Sequence, residues 1–250
     1  MQRRGVLAGL VMAVSMLAAC ASTSVAPQTP VFASERISVT TQGRGRDVIF
    51  IPGLSSSREV WDTTVAALGD GYRVHLVQLN GFAGAPVGAN GEGPVAAPVA
   101  EEIARYIRET DLERPAVIGH SMGGTMGMML TARHPDLVGK LMVVDMFPFM
   151  GAMFGGPNAT AESLAPVANQ IRTVMAASPQ GAVSEQTIQT INSMVRTEAE
   201  RPRIIEHARL SNVATVANAY HELIVTDLRP ELGAITQPMA TAGSIPVLCA

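Results

Sequence analysis

Five residues, Gly119-His120-Ser121-Met122-Gly123, constrain this chain more than any others. They stand between an apolar run, Ala116-Val117-Ile118, and a Gly- and Met-rich stretch that can open a helix. A serine with a glycine two before and two after it, a strand ahead and a helix behind, specifies a sharp strand-to-helix elbow. In such a turn the serine is held at positive φ and its hydroxyl is lifted clear of the sheet. The flanking glycines let the two backbone segments close up without Cβ clashes. The alternative is a tight βα turn whose serine only caps the helix.

The segments around the elbow alternate in a way that suits a mostly parallel sheet with helices on both faces. Arg36 to Thr41 reads as an edge strand, and Val48-Ile49-Phe50-Ile51 is the continuous apolar run of a buried parallel strand. Arg58 to Leu68 reads as a helix, Val74 to Leu79 as a strand, and Asn80 to Pro98 as a Gly-, Ala- and Pro-rich loop. Helical spacing covers Val99 to Thr110 and Met122 to Arg133, the latter ended by Pro135; Leu141 to Val144 is another buried strand. From residue 147 to about 210 helical patterns such as Ser163 to Met175 and Ser184 to Val195 follow one another with no strand between them. This stretch reads as a helical cap over the strand ends, where open α/β sheets hold their ligands. Ser211 to Thr226 would return the chain to the sheet.

A chain of 250 residues with 47% hydrophobic content can bury one sizeable core, so one domain is expected over 35–250. Aromatic residues are only 4%, which leaves Ala, Val, Leu, Ile and 14 Met to fill it. A net charge of −3 and the lack of a long Lys/Arg block exclude nucleic-acid binding as the main role.

Arg3 and Arg4 precede an apolar run from Gly5 to Leu17, too short for a comfortable membrane span. Leu17-Ala18-Ala19-Cys20 then resembles the bacterial lipobox, in which a signal peptidase cuts before a cysteine that becomes lipidated. The resemblance implies a signal peptide over 1–19, a membrane anchor at Cys20 and a flexible polar tether over 20–34. Ala21 after the cysteine implies the outer membrane, facing the periplasm, in a Gram-negative host. With Cys20 lipidated, only Cys249 remains, so no intramolecular disulfide is expected.

Two motifs, the elbow and Ile51-Pro52-Gly53-Leu54-Ser55 directly after a buried strand, resemble the α/β-hydrolase family from about residue 36 to 238. The resemblance implies Ser121 as the nucleophile of a hydrolase acting on a small-molecule carboxylic ester or related acyl compound. It also implies an oxyanion hole made by the N–H groups of Leu54, or its neighbour Ser55, and of Met122. Two fixed donors stabilise the charge that acyl transfer places on the carbonyl oxygen. No metal cluster or dinucleotide fingerprint is apparent, so no cofactor is expected.

The serine also needs a histidine base oriented by a carboxylate, in the chain order Ser, Asp/Glu, His. No Asp, Glu or His follows Glu231. Ile235-Thr236-Gln237-Pro238 reads as the entry to the next strand, after which small residues replace a β-branched run. The expectation is a chain cut short, by a frameshift or premature stop or as a natural short form, that lacks the last strand, the last helix and the catalytic histidine. It would be inactive or nearly so, with an uncovered sheet edge and marginal stability. Asp145, ending the strand before the cap, is the candidate acid. His207 and His221 do not match the family position of the base. His120, beside the serine, reads as packing, His75 as a satisfied core or edge histidine, and His134 as a helix C-terminal residue. Trp61 reads as packing the first helix. Asn80 to Gly84 would either edge the pocket or form a flexible Gly loop. Met146, Met150, Met153, Met175 and Met194 would line an acyl pocket or sit in the core. A second reading is a non-catalytic envelope lipoprotein that binds an apolar ligand or partner on this fold. A third, a haloperoxidase or carbon–carbon hydrolase, shares the elbow.

Overall fold

The computed structural model describes residues 32–233 and, for the backbone, 247–249. The segment read as a lipobox with Cys20, the apolar run before it and residues 235–238 therefore lie outside the described residues. Phe32 is the first described residue. The Phe32 ring packs edge-on against Tyr106 at 5.0 Å and carries the Arg105 guanidinium at 4.3 Å.

One sheet organises the body. Its strands are β1 (Ile37–Gly43), β2 (Gly45–Ile51), β3 (Gly71–Leu79), β4 (Ala116–His120), β5 (Lys140–Val144) and β6 (Val247–Cys249). They lie in the order β1-β3-β2-β4-β5-β6, with β1 antiparallel to β3 and the other pairs parallel. Alternation along the strands separates two faces. Ile49, Ile51, Val77 and Leu79 enter one apolar cluster, whereas Val48, Phe50, Val74 and Leu76 enter another with Trp61. The first face is covered by α2 (Ala96–Glu109), α3 (Met122–Arg133) and α8 (Val213–Val225). The second is covered by a short 3₁₀ turn at Arg58–Trp61 and α1 (Asp62–Leu68). Trp61 rests on Phe50 with ring centroids 5.0 Å apart, and its buried Nε1 has no hydrogen-bond partner among the described residues.

Three details differ from the sequence expectation. The helix expected over Arg58 to Leu68 starts as 3₁₀. The loop expected to reach Pro98 ends earlier, because α2 begins at Ala96. The sheet edge expected to be uncovered is paired: Val247, Leu248 and Cys249 lie beside Leu141, Met142 and Val143. A short apolar triplet beyond the small residues of the tail supplies that strand, and it is the last described element.

Between β5 and α8 the chain runs through α4 (Ala152–Gly155), α5 (Ala161–Ala176), α6 (Glu185–Met194) and α7 (Arg201–Leu210) without a strand. Thr160 and Ser163 cap α5 reciprocally. Leu164 and Ala168 of α5 join Phe149 and Ile224 in a third apolar cluster that holds this helical excursion to α8. Of the methionines considered for an acyl pocket, Met146 and Met150 pack against the main core, while Met153 and Met194 are exposed.

Candidate active site

The sheet register brings three chain segments to one place. Ile51 pairs with Gly119, so the loop after β2 comes level with the residues that follow β4. His120 pairs with Val144, so the residue after β5 comes level with Ser121. Ser121 has φ 52° and ψ −121°, a conformation that costs a non-glycine residue about 1–3 kcal/mol. Its N–H donates to the Val144 carbonyl at 2.9 Å, and its own carbonyl accepts from Gly124 and Thr125. The glycines on either side are needed sterically. A Cβ on Gly119 would run into the Gly123 carbonyl, and one on Gly123 into the Ile51 carbonyl.

The capping alternative does not hold, since the Ser121 side chain makes no capping bond to α3. Among the described residues its hydroxyl has no hydrogen-bond partner at all. The serine is half-buried and stands at the amino end of α3, where a developing negative charge is favoured by the helix dipole.

The Pro52–Ser57 loop runs alongside. A Cβ placed on Gly53 would lie 3.1 Å from His120 Nδ1 and 3.2 Å from Ser121 Cβ. Among the described residues neither the Leu54 N–H nor the Met122 N–H has an acceptor. Ser55 takes φ 56°, and the loop is closed by the Ser56 N–H bond to the Gly53 carbonyl at 3.2 Å. Asp145 follows β5 with φ 53° and is exposed.

All five histidines are described, and none hydrogen-bonds to Ser121. His75 is satisfied: Nε2 donates to Asp47 at 2.9 Å, and the Tyr106 hydroxyl, 2.6 Å away, donates to Nδ1. Burial lowers its pKa, with Asp47 opposing. His134 at the end of α3 accepts from Arg108 at 3.0 Å and donates to Glu101 at 2.7 Å. His120 faces Gly53; burial lowers its pKa and the Asp145 carboxylate opposes that. His207 is buried at the end of α7 against the Pro52–Ser57 loop. His221 lies on α8, its pKa lowered by burial and by Arg172.

Sequence reasoning missed the groups that hold the loops. Asn80 to Gly84 is a bonded loop: Phe82 is fully buried, and Ala83 N–H donates to Ser211 Oγ at 2.9 Å. Among the described residues no cluster of three or more His, Cys, Asp or Glu could hold a metal ion. A shallow hollow lined by Gly43, Gly45, Gly69, Gly71 and Tyr72 lies at the amino ends of β2 and β3, away from Ser121.

The α/β hydrolase fold family model matches residues 48–195, which takes in the loop after β2, the elbow, β5 and the first cap helices. The chain belongs to the α/β-hydrolase family. Among similar proteins of this kind, a pimeloyl-[acyl-carrier protein] methyl ester esterase of Aeromonas hydrophila is 33% identical over 130 residues, 52% of this chain and 49% of that protein. The enzyme of the same name from Vibrio cholerae is 27% identical over 205 residues, 79% of this chain and 74% of that protein. The chain thus spans about half of the first relative and about three quarters of the second. The crystal structure of a hydrolase from Pseudomonas aeruginosa superposes with a TM-score of 0.68 at 17% identity, covering 85% of this chain and 74% of the other. For this α/β hydrolase, that likeness speaks to the fold.

Proposed function

We propose that the protein is a serine hydrolase that splits a carboxylic ester or related acyl compound through an acyl-enzyme at Ser121. The observation that carries this is the Ser121 hydroxyl, without a hydrogen-bond partner among the described residues and held at φ 52° at the amino end of α3, with the Gly53 backbone packed against its Cβ. The Ser121 oxygen would add to the substrate carbonyl. The resulting oxyanion would be held by the Leu54 and Met122 N–H groups, each of the kind whose loss costs about 3–4 kcal/mol. The α3 amino terminus adds to the same field. The two esterase relatives support an ester substrate. Asp145 is the acid in this reading, since it stands level with Ser121 at the end of the neighbouring strand.

The base is the weak link. With no histidine bonded to Ser121, this chain by itself should be inactive or nearly so toward esters; losing one triad member costs several orders of magnitude in rate. The same observation favours a second reading, a non-catalytic lipoprotein that binds an apolar ligand or partner. The N-terminal lipobox supports anchoring through lipidated Cys20 to the outer membrane in either case.

The test is fluorophosphonate labelling of the full chain with Ser121→Ala as control. Slow labelling that disappears in the variant supports the hydrolase. Rapid labelling overturns the claim that the chain is inactive or nearly so. No labelling, together with lipid or peptide binding unaffected by Ser121→Ala, supports the binding protein. Mass spectrometry of the C-terminal peptide made in the native cell tests the short form expected from the sequence.

A further inference from the structure

The junction of α7 and α8 lies on the loops after both β2 and β3. His207 Nδ1 accepts the Ser57 N–H across 3.5 Å, a long hydrogen bond in a buried setting. Ser211, also buried, accepts the Ala83 N–H at 2.9 Å, and its hydroxyl donates to the His207 carbonyl at 2.8 Å. That hydroxyl stands 3.5 Å from the Ser55 carbonyl as well. The Asn212 N–H donates to the Gly81 carbonyl at 2.7 Å, and Arg203 reaches the Glu59 carbonyl at 3.3 Å. Ser55, Ser57 and Glu59 follow Leu54 within five residues of the chain, and Ser55 is held at φ 56°.

We propose that His207 and Ser211 are positioning residues: from the helical cap they fix the loop that carries the Leu54 N–H, and so set the oxyanion hole. The inference rests on the hydrolase reading of Ser121 and assigns the cap a part in it. A loop containing a strained serine needs outside support to keep its conformation. The support comes from α7 and its junction with α8, outside the sheet, so movement of these helices would loosen the oxyanion donor.

The device depends on the state of one ring. To accept from Ser57, His207 must be neutral with its proton on Nε2, which faces Glu59 Oε2 at 3.9 Å. Burial and Arg203 favour the neutral ring, while Glu59 on the 3₁₀ turn and Glu206 on α7 oppose them. Protonation would place an Nδ1–H against the Ser57 N–H and end the bond. The loop therefore loosens on acidification, apart from any titration of a catalytic base.

The test is amide hydrogen exchange by NMR on the full chain, with phosphonate labelling of Ser121 as a second readout. His207→Ala should speed exchange at Ser57 and Ser211→Ala at Ala83, each by about tenfold, as one lost hydrogen bond implies. The α2 amides should not change. His207→Asn, whose Oδ1 can stand in for Nδ1, should restore Ser57. Acid should deprotect Ser57 in the wild type beyond the intrinsic rate, but not in His207→Asn. Labelling should slow in His207→Ala and recover in His207→Asn. Unchanged exchange in His207→Ala, or an acid effect that persists in His207→Asn, overturns the latch. Faster exchange with unchanged labelling overturns the positioning role while leaving the hydrolase reading intact. A wild type that never labels removes the hydrolase reading and the positioning role together, and the exchange data then decide only the contact.

Discussion

Glu222 on α8 accepts the Ala96 N–H at 2.7 Å, and the same carboxylate takes the N–H groups of Val95 and Ala97 at 2.7 and 2.8 Å. The first turn of α2 has no side-chain cap of its own, because valine stands at its N-cap position. A buried carboxylate from a distant part of the chain does that work instead. Glu222→Ala would leave these donors unpaired in a dry setting, and we expect it to cost about 2–4 kcal/mol. Glu222→Gln keeps an acceptor without the charge and should fall between. Urea unfolding of the three proteins checks this; equal midpoints for Glu222→Ala and wild type would sink it.

Glu222 also marks the boundary of what the sequence makes legible. Segments fixed by local pattern were readable. α3 runs from Met122 to Arg133 as expected, since the elbow starts it and Pro135 follows its end. The buried strands announce themselves as apolar runs bounded by turn residues. The start of α2 at Ala96 was not readable, because its cap comes from a residue far along the chain. The same holds for the site. The Ser121 elbow is a local motif, and its positive φ follows from the spacing of its glycines. The hold of His207 on Ser57, and of Ser211 on Ala83, needs α7 to come back to the loops after β2 and β3, which no local pattern encodes. The strand entry read at 235–238 lies outside the described residues; the strand seen beside β5 is Val247–Cys249.

His75 gives the fold a defined response to acid. Its ring is 3% exposed and takes one bond from Tyr106 while giving one to Asp47. Burial lowers its pKa below the ordinary value near 6.5. The unfolded chain then binds a proton near pH 6.5 that the folded chain refuses until lower pH. Stability from this residue is therefore full above pH 6.5 and declines as pH falls toward the folded pKa, by at most about 1.4 kcal/mol per pH unit. His120, His207 and His221 are shifted in the same direction and add to the trend. Denaturant midpoints measured from pH 7 to pH 5 should fall steadily, and His75→Gln should flatten part of the slope. A midpoint that is level or rises over that range would refute the sign.

The proposed lipid anchor at Cys20 makes a separate prediction. In a bacterial host, Cys20 should incorporate a palmitate analogue and the protein should pellet with membranes. Cys20→Ser should abolish the label and release the protein to the soluble fraction. Membrane association that survives Cys20→Ser without label would rule out the lipid anchor.

Gly53 offers the sharpest separation of activity from stability. Its φ lies outside the left-handed region, so alanine is tolerated by the backbone and only the contacts matter. The added methyl would meet His120 Nδ1 at 3.1 Å and Ser121 Cβ at 3.2 Å, tighter than an ordinary contact. The neighbours would give by a few tenths of an ångström. Such overpacking at the edge of the core should cost about 1 kcal/mol of stability. The same displacement moves the Leu54 N–H relative to the serine, and catalytic geometry is far less forgiving than packing. We therefore expect Gly53→Ala to slow phosphonate labelling of Ser121 about tenfold while the thermal transition moves by only a few degrees. Labelling at the wild-type rate would show that the loop after β2 does not hold the oxyanion. A collapse of the thermal transition would show instead that Gly53 serves the fold rather than the site.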